Sequence, residues 1–218
     1  MLTCFILCAL PYIVQFATES EAAVDFMETH AREIAAEMPN LSPDERAIAI
    51  SIVAPEVSQY SQVADFLELR ALGISYLNNG SADFSVGFFQ MKPSFVEELE
   101  KKIAANRSLK AKYAALIPTG TEREKRRTRF ENLTSLQGQL HYLQVFIEVA
   151  KLRTASQRFA SNEEKVRYWA TLYNAGMNLS ATRVAYFQKR KHFPRRNAEH
   201  NYGDVAAEFY STFRERKW

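Results

Sequence analysis

The sequence predicts an all-α protein. Three observations carry that expectation. Only 7 Gly and 7 Pro occur among 218 residues, so backbone breakers are few for a chain of this length. Apolar residues recur at three- and four-residue spacing over most of the chain. Four segments open with Ser or Thr followed three residues later by Glu, which is the capping-box signature of a helix start. An apolar fraction of 47% is sufficient for a sizeable core, and the length suits one large domain. The formal net charge of +3 is mild. It permits attraction to an acidic polymer without the dense basic face that nucleic-acid binding requires.

Leu2 to Ala17 carries no charge and is almost wholly apolar. It is short for a membrane span and is interrupted by Pro11, so it reads as the apolar part of an export signal, with Ala17 as one possible cleavage position; an ordinary buried N-terminal helix is the alternative. Residues 18–218 then form the mature domain. Both cysteines, Cys4 and Cys8, fall inside the leader. If that segment is removed, the mature chain has no thiol, and a cysteine-type zinc site, a catalytic cysteine and an intrachain disulfide are then excluded.

Glu21 to Met38 has helical spacing, with Val24, Met27, Ala31 and Ile34 on one side, and Pro39-Asn40 ends it. Ser42-Pro43-Asp44-Glu45 opens the next helix, with proline at its first position. This helix is apolar nearly all round, through Ala47, Ile48, Ile50, Ile52 and Val53, and so should be central. Pro55 disfavours the helical conformation of Ala54 and is expected to end the helix there. Glu56 would then sit just past the negative end of a buried helix. That end of the dipole and the loss of water both raise a carboxyl pKa, as a general acid requires.

Gln62 to Leu77 reads as an amphipathic helix ending in the turn Asn78-Asn79-Gly80-Ser81. The run Phe84 to Phe89 contains Gly87, where a positive φ or a close chain approach is expected. Further capping boxes at Ser94 to Glu97, Thr121 to Glu124 and Ser161 to Glu164 open three helices. The basic run Arg123 to Arg129 reads as a solvated helix face. Leu136, Leu140, Leu143, Ile147 and Ala150 form a core stripe. The helix after Ser161 runs to Tyr173-Asn174-Ala175-Gly176, where the glycine suits a C-cap. A helix over Ser180 to Lys191 leads to basic clusters at residues 189–192 and 195–196, expected on an exposed loop. Val205, Phe209 and Phe213 mark a last helix from Tyr202.

Three of these segments, with a fourth, resemble the active-site set of soluble-type lytic transglycosylases, which are related in fold to goose-type lysozyme. Glu56 matches the family's acid, Gly87-Phe88-Phe89-Gln90 its Gly-Leu-Met-Gln segment and Tyr173-Asn174-Ala175-Gly176 its Tyr-Asn-Ala-Gly segment. Glu199-His200-Asn201-Tyr202 matches its late Glu-Thr-x-x-Tyr segment at Tyr202. The order agrees with the family, and the matching region extends from about Ser42 to Tyr210. The chain departs from the pattern at Val57, where the family has serine, with Ser58 or Ser61 as substitutes. The segments between the motifs are also longer.

The resemblance implies a lysozyme-like helical domain, with a small irregular or hairpin segment beside a cleft. It implies non-hydrolytic cleavage of peptidoglycan between N-acetylmuramic acid and N-acetylglucosamine, with Glu56 as single acid and base. It implies sugar positioning by Gln90 and the backbone around Phe89 and Met91, and a cleft floor of Tyr173, Asn174 and Tyr202. Phe88 and Phe89 would supply apolar surface. Such chemistry needs no metal or organic cofactor. The implied partner is the peptidoglycan strand, in the periplasm or cell envelope, with the N-terminal segment close to the membrane. Two alternatives carry the same fold: a non-catalytic wall-binding scaffold, and a lysozyme-like hydrolase in which Asp65 or Asp83 serves as second carboxylate.

Overall fold

A computed structural model describes residues 10–60, 73–80, 82–195, 199–216 and 218. Cys4, Cys8, Ser61, Asp65, Arg196 and the first part of the Gln62–Leu77 helix lie outside the described residues. The described chain is helical: α1 Tyr12–Gln15, α2 Ala17–Thr29, α3 Ala31–Glu37, α4 Pro43–Gln59, α5 over 73–79, α6 Pro93–Ala105 and α7 Arg107–Tyr113. A 3-10 turn, Ala114–Leu116, precedes α8 Glu122–Thr134, α9 Leu136–Arg153, α10 Asn162–Ala175, α11 Ala181–Gln188 and α12 Tyr202–Phe213. Among the described residues the extended pairing consists of two isolated antiparallel bridges, Val86 with Met91 and Phe193 with His200. No helix of the described residues is long and apolar enough to cross a membrane.

Helix α4 is the axis of the packing, buried on every side from Ala47 to Pro55. It packs against α2, α9, α10 and α12. Its start is the expected capping box: Ser42 Oγ accepts from the Glu45 N–H, and Glu45 returns a carboxylate to the Ser42 N–H. Its end differs from expectation. Pro55 does not terminate the helix, which runs on to Gln59. An interior proline deletes one ladder bond and costs about 3 kcal/mol, and here the surrounding helices outweigh that local preference. The last turn also gains a side-chain bond, because Ser58 Oγ donates to the Pro55 carbonyl at 2.7 Å. Glu56 therefore sits inside the final turn of α4 rather than beyond it.

Two other helix starts depart from the sequence reading. The stretch expected as one helix from Glu21 is two, α2 and α3, separated at His30. At α6 the expected Ser94 box is absent: the helix begins at Pro93, and Lys92 caps it without a side-chain bond. Asp83 supplies the cap instead, taking the Ser94 N–H at 2.9 Å and the Ser94 hydroxyl at 2.8 Å. The Thr121 box forms in full. Ser161 accepts from the Glu164 N–H, while Glu164 bonds Ala160 rather than returning to Ser161.

A buried ionic cluster ties α6, α8 and α9 together. Arg129 on α8 is clamped by Glu100 with bonds of 2.8 and 2.9 Å and reaches Glu97 at 3.2 Å. The Tyr142 hydroxyl of α9 and the Tyr76 hydroxyl of α5 close on the same two carboxylates. Burial raises the Glu100 pKa even though Arg129 pulls against it.

Candidate functional site

The Glu56 carboxyl is ringed by groups from three distant parts of the chain. Tyr202, the first residue of α12, and Asn174, near the end of α10, both hydrogen-bond to it, and the Arg195 guanidinium lies close enough to act on its charge. Burial drives its pKa from the ordinary 4.5 up to about 7, against the pull of Tyr202, Arg195 and Asn174, which favour the carboxylate. The group keeps part of its surface open, as a proton donor that meets a ligand must. The Tyr202 hydroxyl has one proton and directs it to the Ile52 carbonyl at 3.0 Å. A Glu56 carboxylate competes with Ile52 for that proton, which is how Tyr202 favours the charged form of the acid. The Tyr173 phenol, next to Asn174, also feels the Glu56 charge; burial first, and that charge second, raise its pKa well above the ordinary value.

The second part of the site is the tight turn at residues 86–91. Val86 and Met91 exchange both backbone bonds, at 3.0 and 3.1 Å, and the Gln90 N–H donates to the Gly87 carbonyl. Gly87 has φ +70° and lies so close to α9 that an added Cβ would meet Gln139 Nε2 at 2.0 Å. Only glycine satisfies both conditions. Gln90, with φ 49°, is held in the left-handed region, and its side-chain Nε2 folds back to donate to the Gly87 carbonyl at 2.8 Å.

The turn is carried by two buried polar side chains. Gln139 of α9 donates to the carbonyls of Val86 and Leu133 at 2.8 and 2.7 Å and accepts from the Phe89 N–H at 3.0 Å. The Tyr173 hydroxyl donates to the Phe89 carbonyl at 2.5 Å. Tyr173 thus bridges the turn to the neighbourhood of Glu56, with its ring packed edge-on to Phe95 and Phe146.

The expected site residues therefore separate into two groups. Glu56, Asn174 and Tyr202 meet directly, with Tyr173 beside them. Phe89 and Met91 do not present themselves to a ligand: both side chains are fully buried, and the backbone groups assigned to sugar binding are bonded internally. Their work is to shape the turn that offers Gln90. Phe88 lies half-buried against Phe26 and Tyr60. Ser58 does not replace the serine missing at Val57, since its hydroxyl is buried on Pro55 and Tyr12. Asp83 does not serve as a second carboxylate near Glu56, because it caps α6.

Sequence reasoning missed Gln139 and Arg195. Gln139 was hidden in an apolar stripe, where an uncharged amide looks like an interruption of the core. Its signal is the pairing with a glycine, Gly138, whose place admits no side chain because the backbone of Asn132 lies within 2.7 Å. A separate hollow of about 390 Å³, lined in part by Gln157, Tyr168 and the Arg167–Asp204 ion pair, includes none of the residues around Glu56. Among the described residues no cluster of His, Cys, Asp and Glu is placed to hold a metal ion. No protein-family model, no curated protein and no solved structure matches the chain.

Proposed function

We propose that the protein cleaves peptidoglycan as a lytic transglycosylase, with Glu56 as the one acid and base. The observation that carries this reading is a single carboxyl group with a pKa of about 7, oriented by Tyr202 and Asn174 and partly open to the exterior. A group poised there is mostly protonated just below neutrality and yields a competent base once it has given its proton away.

In the proposed reaction Glu56 donates its proton to the oxygen joining N-acetylmuramic acid to N-acetylglucosamine. The bonding pair leaves with that oxygen, and the carbonyl oxygen of the muramic N-acetyl group stabilises the cationic C1. The Glu56 carboxylate then takes the proton of the C6 hydroxyl, whose oxygen closes on C1 to give a 1,6-anhydro ring. Glu56 ends protonated and ready for another cycle. Asn174 and Tyr202 hold the carboxyl through both transfers, and the Gln90 turn supports the sugar. Arg195 stabilises the carboxylate between the two steps.

The partner in this reading is the glycan strand of the envelope, and the chain would act after export. A hydrolase working by paired carboxylates would need a second acid facing the first across the scissile bond. Among the described residues no second carboxylate acts on Glu56. A non-catalytic wall-binding protein is the competing reading, and Val57 in place of the family's serine is the feature that favours it.

Digestion of purified peptidoglycan followed by mass spectrometry of the ends separates the three. Anhydro ends are expected, together with their loss in Glu56→Gln. Reducing ends would indicate hydrolysis, and intact strands a binding protein.

A further inference from the structure

Tyr12 lies ahead of Ala17, the candidate cleavage position, yet it is 0% exposed. Its ring packs on Phe193 at 5.5 Å, edge-on to His200 at 5.4 Å, and near Phe209 at 6.4 Å. Its hydroxyl meets Ser58 Oγ at 2.8 Å and accepts from Gln59 Nε2 at 2.7 Å. Ser58 has one hydroxyl proton, already donated to the Pro55 carbonyl, so the Tyr12 proton goes to Ser58. A directional chain results: Gln59 amide to Tyr12 hydroxyl to Ser58 hydroxyl to Pro55 carbonyl. That carbonyl belongs to the peptide group carrying the nitrogen of Glu56. The chain anchors the last turn of α4, the one that carries Glu56.

Tyr12 also reaches the other side of the acid. Phe193, which it contacts, packs edge-on against the Tyr202 ring at 5.3 Å, and Tyr202 is bonded to Glu56. The rest of the segment is fastened to residues 199–208. The Ile13 N–H donates to Glu208 at 3.0 Å, Gln15 Nε2 donates to Glu199 at 3.0 Å, and Gln15 Oε1 meets His200 Nε2 at 2.7 Å. A cut after Ala17 would remove all of this. It would leave a space the size of a tyrosine between the end of α4, α12 and Phe193, with Ser58 and Gln59 stripped of their partner.

We propose that Pro11–Phe16 is a permanent strap of the working protein, with Tyr12 a positioning residue for Glu56 and Tyr202, and that any leader removal takes place ahead of Pro11. The claim about the strap stands on packing; only its effect on glycan cleavage rests on the function proposed above.

Two measurements test it. The full chain is expressed with its own N-terminus in a bacterial host and purified from the envelope, and its intact mass is read. A folded product that retains Pro11 is expected, and a folded product beginning at Thr18 would overturn the proposal. In the same chain Tyr12→Phe keeps the ring and removes the hydroxyl. Cooperative unfolding should persist, while hydrogen exchange at the amides of Val57 to Gln59 speeds up by tenfold or more. Carboxyl titration followed by NMR should show Glu56 moving toward the ordinary carboxylate range as water enters the loosened turn. Unchanged exchange and an unchanged Glu56 titration in Tyr12→Phe would refute the positioning role. Neither readout depends on catalysis, so if Tyr12→Phe shows both effects while the wild-type protein cuts no glycan, the proposed function falls and the strap stands.

Discussion

Replacing Glu56 with glutamine should stabilise the folded protein, and by an amount that depends on pH. The folded carboxyl has a pKa of about 7 against an ordinary value of 4.5, with burial as the cause. Between those two values the folded state binds more protons than the unfolded state, so the free energy of unfolding declines as pH rises. The favourable contribution of the neutral acid is fully present below 4.5 and is lost as pH passes through 7. The gap between the values corresponds to roughly 3 kcal/mol. The open side of the group admits some water and makes this an upper figure.

Glutamine keeps the shape and the hydrogen bonding but never ionises. At pH 8 Glu56→Gln should therefore be more stable than wild type by up to roughly 3 kcal/mol, or about 6–12 °C in Tm for a chain of this size. At pH 4 the two should agree within about 1 kcal/mol. Urea denaturation of both proteins at pH 4, 6 and 8 measures this directly. Because the other titrating groups are common to both proteins, the difference isolates position 56. A difference that stays flat across that range would show that Glu56 ionises freely in the folded state, and the general-acid argument would fail with it.

Three further outcomes are expected. Arg195 favours the charged form of Glu56, so Arg195→Gln should raise the acid's pKa and move the alkaline limb of the activity profile to higher pH; a fall would refute the assigned proximity. Gln139→Leu strands two buried carbonyls and the Phe89 N–H, and at about 1–3 kcal/mol for each unsatisfied group it should cost about 3 kcal/mol or more in chemical denaturation. Arg129→Met leaves Glu100, 5% exposed, without its cation and should destabilise by about 3–5 kcal/mol; much of that loss should be recovered in the double variant with Glu100→Gln.

Helix content, the central position of α4 and the cap at Ser42 were legible along the chain because each depends on neighbours within a few residues. Spacing and capping chemistry act at that range, and the residues from Ala47 to Val53 have no polar face to present. The sequence motifs likewise picked out Glu56 together with Asn174 and Tyr202, which meet it from more than a hundred positions away. Local rules failed where long-range packing outweighed them. Pro55 reads as a helix stop from its immediate neighbours, yet the packing of α2, α9, α10 and α12 around it keeps the helix intact. Ser94 reads as a cap, but it lies inside α6, where Asp83 accepts from its N–H.

What the amino-acid order determined by itself is the helical class of the fold and the caps that open helices such as α4 and α8. Tertiary structure alone decided which of those residues are spent internally. Phe89 and Met91 belong to a motif in the sequence, but burial and backbone bonding take them out of reach of any ligand. Tyr12 belongs to an apolar leader in the sequence, but its hydroxyl is buried on Ser58 at the end of α4. The physical reason is the same in both cases. A buried polar group must find a partner wherever the fold brings one, and no local pattern records which distant group that will be.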